Sequence, residues 1–209
     1  MLIHLDIIKE IFNNLNTKCQ IRFIQTSKYF NTNLQIIDLY YIDQATREKL
    51  SDKILINYKQ VEKLDAWGNV KIRDVQYLTK LKKINCGWMS GVSDKNIKDL
   101  KLIELNAANN GKIKNINHMT TLKKLNCIGF CECSDEDIKD LNLILLNARC
   151  NTKIKNINHM TTLKILDCSW DCGISEENIK DLNLERICAN GNETIKMSTI
   201  EKINGKRKD

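Results

Sequence analysis

A twelve-residue segment, KIKNINHMTTLK, occurs at residues 112–123 and again, letter for letter, at residues 153–164. The copies begin 41 residues apart, and shifting the chain by that amount aligns further segments, such as 92–107 with 133–148. Repetition at a fixed period of this length is typical of a solenoid, a fold that grows by stacking equal units. The period therefore predicts duplicated structural units and not a duplicated catalytic loop.

Each 41-residue unit contains two rungs of pattern LxxLx(C/A), which start alternately 20 and 21 residues apart. Side chains alternate between the two faces of a strand, so the leucines and the Cys or Ala point inward and the third and fifth positions point outward. We predict a parallel sheet with one short strand per rung. Seven rungs begin at Val61, Leu81, Leu102, Leu122, Leu143, Leu163 and Leu184. Ile200 and Ile203 are predicted to form a shortened eighth rung that caps the C-terminal end.

This pattern resembles the leucine-rich-repeat family, whose repeats run about 20 to 29 residues with the core LxxLxLxx(N/C)xL. The resemblance covers residues from about 55 to the end. It implies an α/β fold, a leucine-rich-repeat solenoid over residues 55–205 with a parallel sheet on the concave side. Short helices or 3₁₀ turns would lie on the convex side.

Every second rung has asparagine at its ninth position: Asn69, Asn110, Asn151 and Asn192. The resemblance implies that these amides hydrogen-bond backbone groups of the turn that leaves the strand. A buried amide is tolerated where each polar atom has a backbone partner. The other rungs place Met89, Phe130 and Asp171 there, so the ladder is half complete.

The return segments alternate as well. SDKNIKDL, SDEDIKDL and SEENIKDL begin with serine and acidic residues, which is typical of a helix N-cap and first turn. The KIKNINHMTTL segments are too short and too rich in asparagine for a helix, so an extended or 3₁₀ path is predicted. Ile113, Ile116, Met119 and Leu122 would fill the core there, while the lysines and histidines would face water.

Residues 1–40 do not repeat and place apolar residues at helical spacing. This segment resembles the F-box, at Leu5, Glu10-Ile11-Phe12, Leu15, Arg22, Ser27-Lys28 and Phe30; it departs from the family at Asp6, where a proline is usual. The resemblance implies docking on the adaptor subunit of cullin-based ubiquitin ligases. The adaptor-binding residues would be Leu5, Ile8, Ile11, Phe12 and Leu15. The alternative is a plain helical cap that shields the first rung.

The remaining divisions are a helical linker or cap at 41–54 and a basic tail at 206–209. No apolar run approaches the roughly 18 residues of a membrane helix, and the N-terminus lacks signal-peptide features. The nine cysteines are an odd number, which indicates reduced thiols in the cytoplasm or nucleus. The chain has no proline and is rich in lysine, asparagine and isoleucine, and it resembles the F-box repeat proteins of giant viruses and amoebae. That origin implies the cytoplasm or nucleus of a host cell.

The outward strand positions are polar and differ between rungs, which favours binding of a target protein. The predicted target-binding residues are Lys83, Glu104, Lys124, Asp167 and Arg186, with Trp67, Trp88 and Trp170 at one rim. Exposed tryptophans are favoured interface anchors, although tryptophans packed into turns are the alternative. No acid–base pair stands out, so we predict no catalytic residue, no cofactor and no enzyme activity.

Metal binding is also not predicted. Cys131, Cys133, Cys150 and Cys172 fall in turns near one edge, but the chain has no CxxC pair. His118 and His159 lie two rungs apart, or about 9.6 Å at roughly 4.8 Å per rung. That gap is too wide for one zinc ion with nitrogen bonds of about 2.0 to 2.1 Å.

The formal charge of +7 allows a nucleic-acid partner. However, the lysines are not interleaved with aromatic residues as a stacking platform requires, so a solvated basic surface is favoured. The sequence therefore predicts a non-catalytic substrate-recognition subunit of a ubiquitin ligase, monomeric outside the ligase complex. A stand-alone protein-interaction module and, less favoured, a basic nucleic-acid-binding solenoid are the alternatives.

Overall fold

The computed structural model describes residues 5–25 and 35–205. Eight strands form one parallel sheet in chain order, each paired with the next along the chain. The strands are β1 (Asp38–Leu39), β2 (Lys63–Asp65), β3 (Lys83–Asn85), β4 (Glu104–Asn106), β5 (Lys124–Asn126), β6 (Leu145–Asn147), β7 (Ile165–Asp167) and β8 (Arg186–Cys188). From β2 onward the third positions of neighbouring rungs face each other, as Lys83 faces Glu104.

The strands of all seven predicted rungs pair in parallel, which confirms the parallel-sheet prediction, and the inward positions of these rungs are buried. In the second rung, for example, Leu81, Ile84 and Cys86 are 0% exposed. Burying one leucine or isoleucine side chain stabilises the fold by about 1.5–3 kcal/mol. A regular inward stripe therefore holds a sheet whose strands are only two or three residues long.

Helices cover the edges and the return side of the stack. They are α1 (Leu5–Asn14), α2 (Thr17–Gln25), α3 (Gln44–Lys49), α4 (Asp52–Leu55), α5 (Asp94–Ile97), α6 (Asp135–Ile138) and α7 (Met197–Asn204), with a 3₁₀ turn at Glu176–Asn178. Ser93, Ser134 and Ser175 are the N-caps of α5, α6 and the 3₁₀ turn, each in a capping box with the residue three positions later. None of the helices in the described residues is long and apolar enough to cross a membrane.

The intervening KIKNINHMTTL segments form turns without a helix, as predicted. Ile113, Ile116, Met119 and Leu122 are buried there, and so are their counterparts in the second copy. His118 and His159 are exposed, each with a ring nitrogen 2.8 or 3.0 Å from a backbone carbonyl of the previous return segment.

The two ends of the sheet differ from the sequence prediction. Strand β1 lies at Asp38–Leu39, inside the segment assigned to the helical module, and its register partner Lys63 is 25 residues away. That spacing lies outside the 20–21 period, which is why the repeat does not reveal it. Ile200 and Ile203 lie in helix α7 and not in an eighth rung.

Side chains close both edges of the sheet. At the C-terminal end, the Ile187 amide donates to Asn204 Oδ1 (2.9 Å), and Asn204 Nδ2 donates to the Ile187 carbonyl (3.0 Å). At the other end, the Thr17 hydroxyl of α2 donates to the Asp38 carbonyl (3.2 Å). Unpaired strand edges promote aggregation, so both contacts protect the sheet.

The buried asparagines bond to the preceding rung. Asn110 Nδ2 donates to the carbonyls of Cys86 (2.6 Å) and Val92 (3.1 Å), and Asn110 Oδ1 accepts the Lys112 amide (3.0 Å). Asn151 and Asn192 repeat this arrangement. Asn69 instead reaches the carbonyls of Arg47 and Leu50, so it links the first full rung to the α3 segment.

We predict that Asn151→Ala lowers the free energy of unfolding by about 2–4 kcal/mol, because it leaves two buried carbonyls without a donor. Urea denaturation followed by circular dichroism measures this. The matched control is Asn158→Ala, since Asn158 is exposed and its side chain forms no hydrogen bond with the described residues. Equal destabilisation by the two substitutions would contradict the bonding role of Asn151.

Candidate functional site

The third and fifth positions of β2–β8 form two columns that run across the strands, and we call this surface the strand face. The third positions are Lys63, Lys83, Glu104, Lys124, Leu145, Ile165 and Arg186. The fifth positions are Asp65, Asn85, Asn106, Asn126, Asn147, Asp167 and Cys188. Neighbouring members of a column lie one strand spacing apart, about 4.8 Å.

Three charged residues of the first column form an ion-paired triad. Lys83 Nζ lies 2.9 Å from Glu104 Oε2, and Lys124 Nζ lies 2.6 Å from Glu104 Oε1. Burial alone would raise the pKa of Glu104, but hydrogen bonds from Lys124 and Lys83 outweigh it and lower that pKa. Burial alone would lower the pKa of Lys83, but its hydrogen bond with Glu104 and the nearby tyrosines raise it. The triad carries one net positive charge.

Two tyrosines that follow β1 border this triad. The Lys83 ammonium lies 4.1 Å from the ring centroid of Tyr40 and 5.9 Å from that of Tyr41. A cavity of about 220 Å³ lies between Tyr40, the triad and the fifth-position residues Asn106 and Asn126. Sequence analysis missed both tyrosines because the strand before them lies outside the repeat.

The fifth-position asparagines share one orientation. Asn106, Asn126 and Asn147 each accept, through Oδ1, the backbone amide two residues further on, at 3.1–3.3 Å. Their Nδ2 groups have no hydrogen-bond partner among the described residues. In contrast, Asn85 Nδ2 donates to Asp65 (2.9 Å), whose other oxygen pairs with Arg47 (2.5 Å). Three free amide donors therefore stand side by side next to the triad.

The strand face changes character towards the C-terminal end. Leu145 and Ile165 are half-buried and apolar. Arg186 is exposed and forms no ion pair with any residue that the structure describes. Asp167 accepts the Ser169 amide (3.0 Å). Lys83, Glu104, Lys124, Asp167 and Arg186, the predicted target-binding residues, thus all lie on this one face.

The loops that leave the strands carry an apolar rim, which we define as Trp67, Trp88, Met89, Phe130 and Trp170. Trp67 is half-buried and stacks on Trp88 at 6.4 Å with an interplanar angle of 15°. Trp88 and Trp170 are exposed, and Phe130 is 85% exposed. Met89 and Phe130 are not among the predicted target-binding residues, although the segment Ile128-Gly129-Phe130 differs from Ser169-Trp170-Asp171 in the next unit and is therefore expected to contribute to specificity. Their signal was that they occupy the ninth position, where the other rungs bury asparagine.

The rim backbone is strained. Trp88, Met89 and Trp170 have φ of 50°, 57° and 63°, in the left-handed region that non-glycine residues rarely adopt. Each such residue costs about 1 kcal/mol or more. The eighth position has a positive φ in all seven rungs, where the others are Gly68, Asn109, Gly129, Cys150 and Gly191, so this conformation belongs to the turn that leaves each strand.

The predicted adaptor residues do not share one exposed surface. Phe12 is buried, with its ring centroid 6.1 Å from that of Phe23, so it is a core residue of the helical module. Ile8 and Leu15 are half-buried, whereas Ile11 is 50% exposed. Leu5 is the first residue of α1. Ser27, Lys28 and Phe30 lie outside the described residues, and so does the basic tail.

The four turn cysteines differ in how exposed their side chains are. Cys131 and Cys133 are buried with their sulfurs 3.3 Å apart, Cys150 is exposed, and Cys172 is half-buried. Within residues 5–25 and 35–205 no group of His, Cys, Asp or Glu is arranged to hold a metal ion. Burial raises the pKa of the inward Cys86 thiol to about 12, which keeps it neutral. All nine cysteines are free.

No family model and no curated protein matches this chain. Among solved structures the chain is similar to two proteins of Listeria monocytogenes, among others. An internalin, InlF, is 18% identical over 79% of this chain and 50% of its own, with a TM-score of 0.46. The functional domain of InlJ, described as including a cysteine ladder, gives the same identity and coverage with a TM-score of 0.38. This chain thus spans half the length of each, and its description as a solenoid with a parallel sheet rests on its own rungs and strand pairing.

We predict that Glu104→Gln lowers the free energy of unfolding by about 0.5–1 kcal/mol at neutral pH, because it breaks both ion pairs of the triad. The folded pKa of Glu104 is lowered, so its contribution is fully present above the unfolded value, about 4.3, and is lost as the pH falls through the folded value. Urea denaturation at neutral and acidic pH measures the difference. Glu62→Gln, at an exposed carboxylate without an ion pair among the described residues, is the control. A Glu104→Gln effect that persists unchanged in acid would contradict this account.

Proposed function

We propose that the chain is a non-catalytic protein-binding module whose target lies on the strand face and against the apolar rim. The observation that carries this proposal is a difference between the inward and the outward positions of each rung. The inward residues are nearly identical between copies, whereas the third positions of the strand face and the residues of the rim differ between rungs. A surface that varies on a repeated scaffold is suited to recognising one partner.

The chemistry of the rim supports a protein as the partner. Exposed tryptophans and a phenylalanine offer large apolar area at a small cost in side-chain entropy, and such residues dominate protein interfaces. In contrast, several surface lysines are paired with carboxylates, including Lys83, Lys124, Lys153 and Lys164. Paired lysines are less available to phosphate groups, which weakens the nucleic-acid alternative.

The finer part of the proposal concerns the helical module. Helices α1 and α2 carry several residues of the F-box resemblance, and Ile11 stays exposed beside the buried Phe12. We propose that this exposed side docks on the adaptor of a cullin-type ligase in the cytoplasm or nucleus. The chain would then be the substrate receptor, and other subunits would transfer ubiquitin.

The rim proposal predicts where a target cross-links. A photo-cross-linking amino acid placed at Met89 should capture a protein from extract, whereas the same amino acid at Met197 should not. The two methionines are 70% and 68% exposed, so they differ in location and not in accessibility. Mass spectrometry identifies the captured protein. Equal capture at both positions would remove the rim from the proposal.

The adaptor proposal predicts that Ile11→Asp abolishes binding of purified adaptor subunit and that Ile56→Asp does not. The two isoleucines are 50% and 53% exposed, so both substitutions should leave the fold intact. A thermal melt checks that condition. Deleting residues 1–40 is unsuitable, because it removes β1 and exposes the edge of β2. If the unmodified chain binds no adaptor, the ligase role is wrong and the protein-binding role is unaffected.

A further inference from the structure

We infer that the strand face binds an extended peptide with an acidic residue, an apolar residue four positions later and a second acidic residue six positions later. This inference rests on the proposed protein-binding function and specifies its ligand. It comes from the order of charged and apolar third-position residues across the sheet, from β3 to β8.

The first acidic residue follows from the triad. Lys83 and Lys124 both engage Glu104, so the group keeps one uncompensated positive charge. Covering that charge with a neutral partner removes water from it without replacing its interactions, which is costly. A carboxylate restores neutrality. The adjoining cavity of about 220 Å³ has room for one side chain and its neighbouring backbone.

The remaining positions follow from the strand spacing. Leu145 and Ile165 lie on β6 and β7, and the unpaired Arg186 lies on β8, four strands beyond Glu104. At about 4.8 Å per strand these four steps span about 19 Å, and an extended chain covers about 3.3 Å per residue. Arg186 is therefore about six residues away, and the Leu145–Ile165 pair about four. Even separations place all three peptide side chains on the same side of an extended chain.

The asparagine column supplies the backbone contacts. Asn106, Asn126 and Asn147 hold their Oδ1 atoms in place with backbone amides, so only donors face the ligand. Carbonyl oxygens of an extended peptide are matching acceptors, and unpaired donors would be costly under a ligand that lacks acceptors. A nucleic-acid backbone fits less well, because its regularly spaced phosphates would face the apolar side chains of Leu145 and Ile165.

The first test is a selection from a random peptide display library against the full chain. Bound peptides are then counter-screened on Asn126→Arg, which fills the strand face without touching the core. We expect the peptides that are lost on this variant to share the acidic–apolar–acidic spacing. Peptides that depend on the strand face but lack this spacing would overturn the inference and leave the proposed function standing. A complete absence of such peptides would overturn both.

The second test uses a labelled synthetic peptide with aspartate, leucine and aspartate at the inferred positions, and a twin with asparagine in place of both aspartates. In fluorescence anisotropy, Lys124→Gln and Arg186→Gln should each weaken binding of the aspartate peptide by about two- to fivefold and leave the affinity for the asparagine twin unchanged. Glu104→Gln should strengthen binding of the aspartate peptide by a similar factor. Lys139→Gln, at the residue that follows helix α6 in a return segment, is the charge-matched control. Equal affinity for both peptides would overturn the charge argument, and displacement by a single-stranded oligonucleotide at lower concentration would favour nucleic acid instead.

Discussion

The buried amides of Asn69, Asn110, Asn151 and Asn192 fix the register on which every other property of this protein depends. From the second of these onward, each joins two carbonyls of the rung before it, 24 and 18 residues back along the chain. Strands of three residues have too few ladder bonds to hold register by themselves. A slip of one residue would turn the outward side chains inward, so the amides and the buried inward stripe together keep both columns of the strand face outward.

The same arrangement explains why the rungs alternate. A rung that buries asparagine at its ninth position uses that loop to bind its neighbour. The rungs between them have no asparagine at the ninth position, and the residues that replace it, Met89, Phe130 and Asp171, lie on the surface. The 41-residue unit thus combines one rung that secures the stack with one that presents side chains to solvent.

Much of the fold was predictable from the sequence, because inward leucines recur at 20 and 21 residues and burial enforces that period. Strand β1 was not predictable, since its two residues lie outside the 20–21-residue period and show no repeating pattern. Tyr40 and Tyr41 were missed with it. The adaptor residues show another limit. Their helical spacing indicates an amphipathic helix that contains Ile11 and Phe12, but it does not show which of these two side chains is buried inside the module. Ion pairs such as Lys83–Glu104–Lys124 depend on a register that single rungs do not specify, although each member was correctly placed outward.

The Asn204 contact with β8 has a consequence for how such a chain changes length. Its two hydrogen bonds go to backbone atoms of Ile187 and not to a side chain, so the cap fits any final strand whatever its sequence. A duplicated 41-residue unit inserted ahead of α7 would meet the same cap and add two strands, or about 9.6 Å to the length of the strand face. Helix α7 therefore permits the strand face to lengthen in whole units over evolutionary time, with the cap unchanged.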